Sequence, residues 1–218
     1  GLSINGGGVK VAGGGLISEG AGANSFRAGA SAGLTNQGVN GVAVGSGAGN
    51  TGQGGQSVAI GWNAGREDQG NNATALGREA GKANQGSNAT AVGTAAGSIS
   101  QGNSSVAVGE AAGKSSQSSY SVAVGRQAGQ TSQGEKGTAV GYLAGKANQG
   151  KSSVAIGNNA ASGADPSTFA NLTDEEIEAF DLSDPSLYED AAFGQGENAV
   201  AIGTEAGQSA PGIGSVAI

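Results

Sequence analysis

Carboxylates are the acid–base groups whose clustering stands out in this chain. Asp165, Asp174, Glu175, Glu176, Glu178, Asp181, Asp184, Glu189 and Asp190 fall in one stretch, nine of the 17 acids among 218 residues, with no Lys or Arg between them. Paired carboxylates perform glycoside hydrolysis, and denser clusters hold calcium. The order of these acids argues for neither. Thr173-Asp174-Glu175-Glu176 reads as a capping box opening a short helix to Phe180, with the acids in the first turn matching the helix dipole. EF-hand spacing and an Asp-bearing nonapeptide are both absent, and no broad aromatic groove for a sugar accompanies the acids. The chain also has no Cys, His or Met, which removes thiol and imidazole catalysis, disulfides and Cys/His metal centres. No catalytic residue, cofactor or metal is therefore expected, and the chain is not read as an enzyme.

The elements that must position any surface chemistry follow from a period. Gly45, Gly61, Gly77, Gly93, Gly109, Gly125, Gly141 and Gly157 recur every 16 residues, each closing a phrase such as Val58-Ala59-Ile60-Gly61 or Val106-Ala107-Val108-Gly109. Ala-Gly follows four residues later, and in most coils Gln-Gly four later again. The phrase alternates at period two, as a strand does, and so many glycines would ruin a helix. A unit of this size cannot bury a face alone, so the repeat predicts a parallel β-solenoid, each coil climbing about 4.8 Å, in an all-β chain.

Size suggests how the strand faces divide. The first and third places of the phrase (Val58 and Ile60, Val106 and Val108, Val122 and Val124, Val154 and Ile156) are expected to form the core. The middle alanines, Ala59, Ala75, Ala91, Ala107, Ala123, Ala139 and Ala155, then face the other way, and their uniform smallness predicts a close-packed subunit interface in a parallel homotrimer. A lone stack with so few aromatics is underfilled, which favours assembly. Gln69, Gln85, Gln101, Gln117, Gln133 and Gln149, with Gln37 and Gln53 before them, are expected to form a structural amide ladder bonded from rung to rung.

Four segments follow. Residues 1–24 are a Gly-rich lead-in or degenerate coil, 25–161 the repeats, 162–194 an acidic, partly helical insertion, and 195–218 resumed solenoid. Gly203 lies 46 residues beyond Gly157, one coil of 16 plus 30 extra residues that leave the stack at a corner. Phe169, Phe180, Tyr188 and Phe193 give the insertion an apolar cluster and make it a candidate receptor-contacting or packing knob. The last phrase, Ser215-Val216-Ala217-Ile218, stops where a glycine at 219 is due, so a fragment of a longer fibrous protein is expected.

Composition excludes further classes. The net charge of −7 disfavours nucleic acid, and the basic column of Arg66, Lys82, Lys114 and Lys146, interrupted by Ser98 and Gln130, reads as a solvated face. Threonine enters the phrase at Thr74, Thr90 and Thr138 only, without the paired arrays of an ice-binding solenoid. No apolar run approaches the ~20 residues of a membrane span, so no membrane insertion is expected here.

Ser57-Val58-Ala59-Ile60-Gly61, Ser153-Val154-Ala155-Ile156-Gly157 and Asn198-Ala199-Val200-Ala201-Ile202-Gly203 resemble the head repeat of trimeric autotransporter (YadA-like) adhesins. The resemblance implies left-handed parallel β-rolls, three chains about one axis, that bind host surface molecules. The longer coil with its Ala-Gly and Gln-Gly corners is similar to repeats of bacteriophage tail fibres and other viral fibre proteins. That likeness implies a homotrimeric attachment fibre of the virion, with other virion or fibre proteins and a host glycan or outer-membrane protein as partners. The alternative it leaves open is a bacterial surface adhesin.

Overall fold

A computed structural model describes residues 22–162, 198–207 and 214–218. Within them the chain is a parallel β-solenoid. Its first sheet is built from the repeated phrase: β1 (Phe26–Ala28), β2 (Val42–Val44), β3 (Val58–Ile60), β5 (Thr74–Leu76), β7 (Thr90–Val92), β9 (Val106–Val108), β10 (Val122–Val124), β11 (Thr138–Val140), β12 (Val154–Ile156), β13 (Val200–Ile202) and β14 (Val216–Ala217). These 11 strands stack in that order, all parallel. A second sheet pairs β4 (Glu67–Gln69), β6 (Ala83–Gln85) and β8 (Ile99–Gln101), and single bridges from Thr35 to Thr51 to Glu67, and from Ile99 through Ser115 and Thr131 to Ala147, carry its line along the stack.

Pairing is in strict repeat register. Val42 lies on Val58, Val106 on Val122 and Thr138 on Val154, each partner one period away. Across the insertion Val154 pairs with Val200, so the coil after the excursion lands on the coil before it. The bonds do not stop at strand ends. Gly93 N–H reaches Leu76 O at 2.8 Å, Ala95 reaches Arg78 O at 2.8 Å, Gly97 reaches Ala112 O at 2.9 Å, and Gly102 reaches Gln117 O at 2.7 Å. Corners as well as strands thus satisfy their backbone from the coils above and below.

Such a coil must turn sharply. In the one containing Gly93, left-handed φ angles occur at Gly93 (125°), Ala95 (54°), Gly97 (51°), Ser100 (54°) and Ser104 (52°). Two of these positions require glycine. At Gly93 the φ lies beyond the region L-residues occupy, and a Cβ would stand 2.7 Å from Gly109 O. At the Ala-Gly corner the φ near 51° is accessible to other residues, but a Cβ on Gly129 would meet Gln133 Oε1 at 2.7 Å. Alanine takes that corner once, at Ala161 with φ 46°.

The strand faces are the reverse of the expectation from size. Ala43, Ala59, Ala75, Ala91, Ala107, Ala123, Ala139, Ala155 and Ala201 point inward and are 0% exposed, facing the corner alanines Ala48, Ala64, Ala80, Ala96, Ala112, Ala128 and Ala144. The valines and isoleucines expected in the core point out, Ile60 being 36% and Ile156 37% exposed. The reason is the bore of the coil. A three-residue strand has one inward side chain, and two strands closed by such tight corners stand too near one another for anything branched between them, unlike sheets packed about 10 Å apart over large side chains.

The one large interior group per coil is glutamine. Gln69 Nε2 donates to Val58 O at 2.9 Å, Gln117 to Val106 O at 2.8 Å and Gln133 to Val122 O at 2.7 Å, so each amide crosses the coil from the second sheet to the first. The same nitrogen reaches the far corner, as from Gln133 to Gly137 O at 3.2 Å. Corner serines close the remaining side: Ser57 Oγ donates to Gly54 O at 2.6 Å and Ser153 Oγ to Gly150 O at 2.7 Å.

Candidate functional site

Because the alanines are inside, the surface that could serve function is the outer side of the first sheet. Its two columns are Val42, Val58, Thr74, Thr90, Val106, Val122, Thr138, Val154, Val200 and Val216, and beside them Val44, Ile60, Leu76, Val92, Val108, Val124, Val140, Ile156, Ile202 and Ile218. Leu76 is 43% and Ile202 40% exposed, and most of the others are half-buried. Nine rung spacings make a strip about 43 Å long with its columns about 7 Å apart. Isolated apolar residues on a surface are ordinary, but a continuous aliphatic face marks an interaction surface.

A polar rail borders it, one residue past the phrase glycine. The Arg78 guanidinium lies 5.1 Å from the Trp62 ring centroid, and Arg126 lies 5.6 Å from that of Tyr142. Arg126 also pairs with Glu110 at 3.3 Å. Each link joins neighbouring coils, so the rail cross-braces the stack from outside, by roughly 0.5–1 kcal/mol for an exposed cation–π contact. At the opposite corner Lys151 and Lys136 flank Glu135 at 3.4 and 3.5 Å. Lys151 first and Lys136 second hold the Glu135 carboxyl below its ordinary pKa.

The residues singled out from sequence are distributed as follows. Ala59, Ala75, Ala91, Ala107, Ala123, Ala139 and Ala155 cannot form a subunit interface, because each is enclosed by its own chain. Gln69, Gln85, Gln101, Gln117, Gln133 and Gln149 form one buried column, where amide-to-amide bonds run from Gln69 to Gln85 and from Gln85 to Gln101, both at 3.1 Å. Elsewhere the amides bond the backbone of their own coil. Phe169, Phe180, Tyr188 and Phe193, with the helix expected from Asp174 to Phe180, lie outside the described residues, as do residues 1–21 of the lead-in. The coil pattern already includes residues 22–24, since Gly22 N–H bonds Gln37 O at 2.9 Å.

Sequence reasoning missed the aliphatic face itself. Its signal was present in the uniform alanine column, which fits a narrow bore better than an interface. Among the described residues no group of three or more acids or other ligating side chains could hold a metal, and no helix is long and apolar enough to cross a membrane.

The fold and this face define the molecule as a parallel β-roll with an outward aliphatic side. Residues 195–218 match the YadA head domain repeat, in two copies. That match and the arrangement of the coils support a YadA-like β-roll. No curated protein and no solved structure matches the chain.

Proposed function

We propose that this chain is a surface-attachment head of the trimeric adhesin type, three parallel copies packed through the outward columns of the first sheet. The observation that carries the reading is the inversion of apolar groups. Aliphatic side chains that a monomer would bury stand outside on one straight face, while the interior holds alanine, serine and glutamine. A threefold axis along the stack covers that face on every copy, rung against rung. The likeness to an adhesin head repeat supports a place on a bacterial surface over a virion fibre, which would use the same architecture. Its work is binding without catalysis, and its target is a host-surface glycan or outer-membrane protein met by the sides of the roll that remain exposed.

Light scattering on the purified chain tests the assembly, and adhesion of beads coated with it to host cells tests the function. A chain that stays monomeric at tens of micromolar and a bead that does not adhere would each remove one half of the proposal.

A further inference from the structure

Three residues interrupt the aliphatic face. From Val42 onward the only side chains on its two columns that are not Val, Ile or Leu are Thr74, Thr90 and Thr138, all in the same column. Each is half-buried, and among the described residues no hydrogen bond is made by their hydroxyls. Threonine has the shape of valine with one methyl replaced by a hydroxyl, so its presence alters polarity far more than volume. Their spacing is irregular. Thr90 follows Thr74 by 16 residues and Thr138 follows Thr90 by 48, which are one and three coils, and Thr138 follows Thr74 by 64, which is four. The differences one, three and four are all distinct, so sliding one copy along another by any whole number of coils aligns at most one threonine pair. Only the unshifted alignment brings all three together.

A face that repeats every coil needs such a device. Valine and isoleucine columns match almost as well after a slip of one rung, about 4.8 Å, as they do in register. We infer that Thr74, Thr90 and Thr138 are a register key for self-assembly, three polar layers that admit only the in-register association of parallel copies. The inference rests on the trimer proposed above. Around a threefold axis the three copies of one threonine form a ring in which each hydroxyl donates to the next and accepts from the last, leaving none unpaired. In a slipped trimer the hydroxyls meet valines and are buried without partners, a penalty that exceeds the bond's own worth. A polar residue at one position of a coiled-coil seam sets register by the same logic.

The test reverses the key. In a chain carrying Thr90→Val and Val122→Thr the threonines stand at 74, 122 and 138, three coils and then one apart, so no alignment with the unmodified chain, slipped or unslipped, brings all three layers together. Co-expressed with the unmodified chain, the two distinguished by tags of different mass, it is read by native mass spectrometry. Trimers of each chain with itself are expected, with mixed trimers at least tenfold below their statistical share. A statistical 1:3:3:1 distribution overturns the key while leaving the trimer standing. If the unmodified chain gives no trimers, the trimer reading fails and the key falls with it. A second variant, Thr74→Val, Thr90→Val and Thr138→Val together, removes the key and is expected to assemble with mixed stagger, seen as a broadened sedimentation boundary. A boundary as sharp as the unmodified chain's would also overturn the inference.

Discussion

Gly129 and Gln133 offer a direct test of how the interior is built. Gly129 has φ 51°, and a Cβ there would stand 2.7 Å from Gln133 Oε1, 2.8 Å from its Cδ and 3.2 Å from the Ala123 Cβ. Gly129→Ala therefore carries two penalties, about 1–2 kcal/mol for an L-residue in the left-handed region and about 1–3 kcal/mol for overpacking. Gln133→Ala removes the bonds to Val122 O at 2.7 Å and Gly137 O at 3.2 Å from a side chain that is 0% exposed. Its loss is about 2–4 kcal/mol, from unpaired buried groups and the space left behind. If the glutamine is what makes this corner demand glycine, the double variant escapes the overpacking and fills part of the void. Its destabilisation should then fall short of the sum of the single losses by about 1–3 kcal/mol, as coupled neighbours do. Urea unfolding of the four chains at one protein concentration measures the cycle, the concentration being fixed because assembly enters the stability. Additivity within about 0.5 kcal/mol would refute the reasoning.

Other consequences follow from the same geometry. Gly93→Ala, with φ 125° and a Cβ 2.7 Å from the neighbouring coil's backbone, should cost more than about 4 kcal/mol and abolish soluble folded protein, with no second-site relief from the interior. Lys at Val108 should dissolve assembly while the far-ultraviolet spectrum of the coil persists, whereas Val at Ala107 should lose the spectrum itself; the reverse pattern would restore the opposite assignment of faces. Deleting 30 residues from the stretch between Ser162 and Asn198 should leave the stack intact by hydrogen exchange, because Val154 already pairs with Val200. For Glu135 the folded pKa is depressed, so its ion-pair contribution is present above the ordinary carboxylate range and is lost as pH falls through the folded value. Carbon-detected NMR titration should show that value rising toward normal in Lys151→Ala and in high salt; an unmoved titration would show that the lysines are not its cause.

The period, the parallel stacking and the in-phase pairing of Val200 with Val154 were legible, because each follows from spacing alone. What spacing does not carry is which side of a three-residue strand faces in. Val-Ala-Val reads identically with its large or its small residues buried, and the usual rule that larger apolar groups go inside fails when the bore is narrower than a valine pair. The information lay elsewhere, in Ser57, Ser105, Ser121 and Ser153, which stand one residue before the phrase and are fully buried. A buried hydroxyl there fixes the next residue as outward and the alanine after it as inward. The glutamine column was legible as a structural feature. Its principal bond was not, since Gln133 reaches a carbonyl 11 residues back in the sequence, across a closed coil whose width spacing does not give.

That inversion ties stability to function. An interior of paired alanines buries little apolar surface per coil, so the hydrophobic term available to a single chain is small for the backbone it must order. The same coil places two further side chains, mostly aliphatic, on its outer face, where none of the described residues encloses them. In the trimer proposed above, burying that face would supply part of the driving force that a globular domain finds within itself, uniformly along the axis, as nearest-neighbour stacking does. Uniformity leaves the axial position of one copy against another undetermined. In the register key proposed above the three threonines break it at the cost of some apolar contact, and the polar rail of Trp62, Arg78, Glu110, Arg126 and Tyr142 breaks the repeat a second time beside the face. Surfaces that identify a binding partner must differ from rung to rung, so in a chain this repetitive the departures from the phrase are where specificity, both for itself and for a target, has to reside.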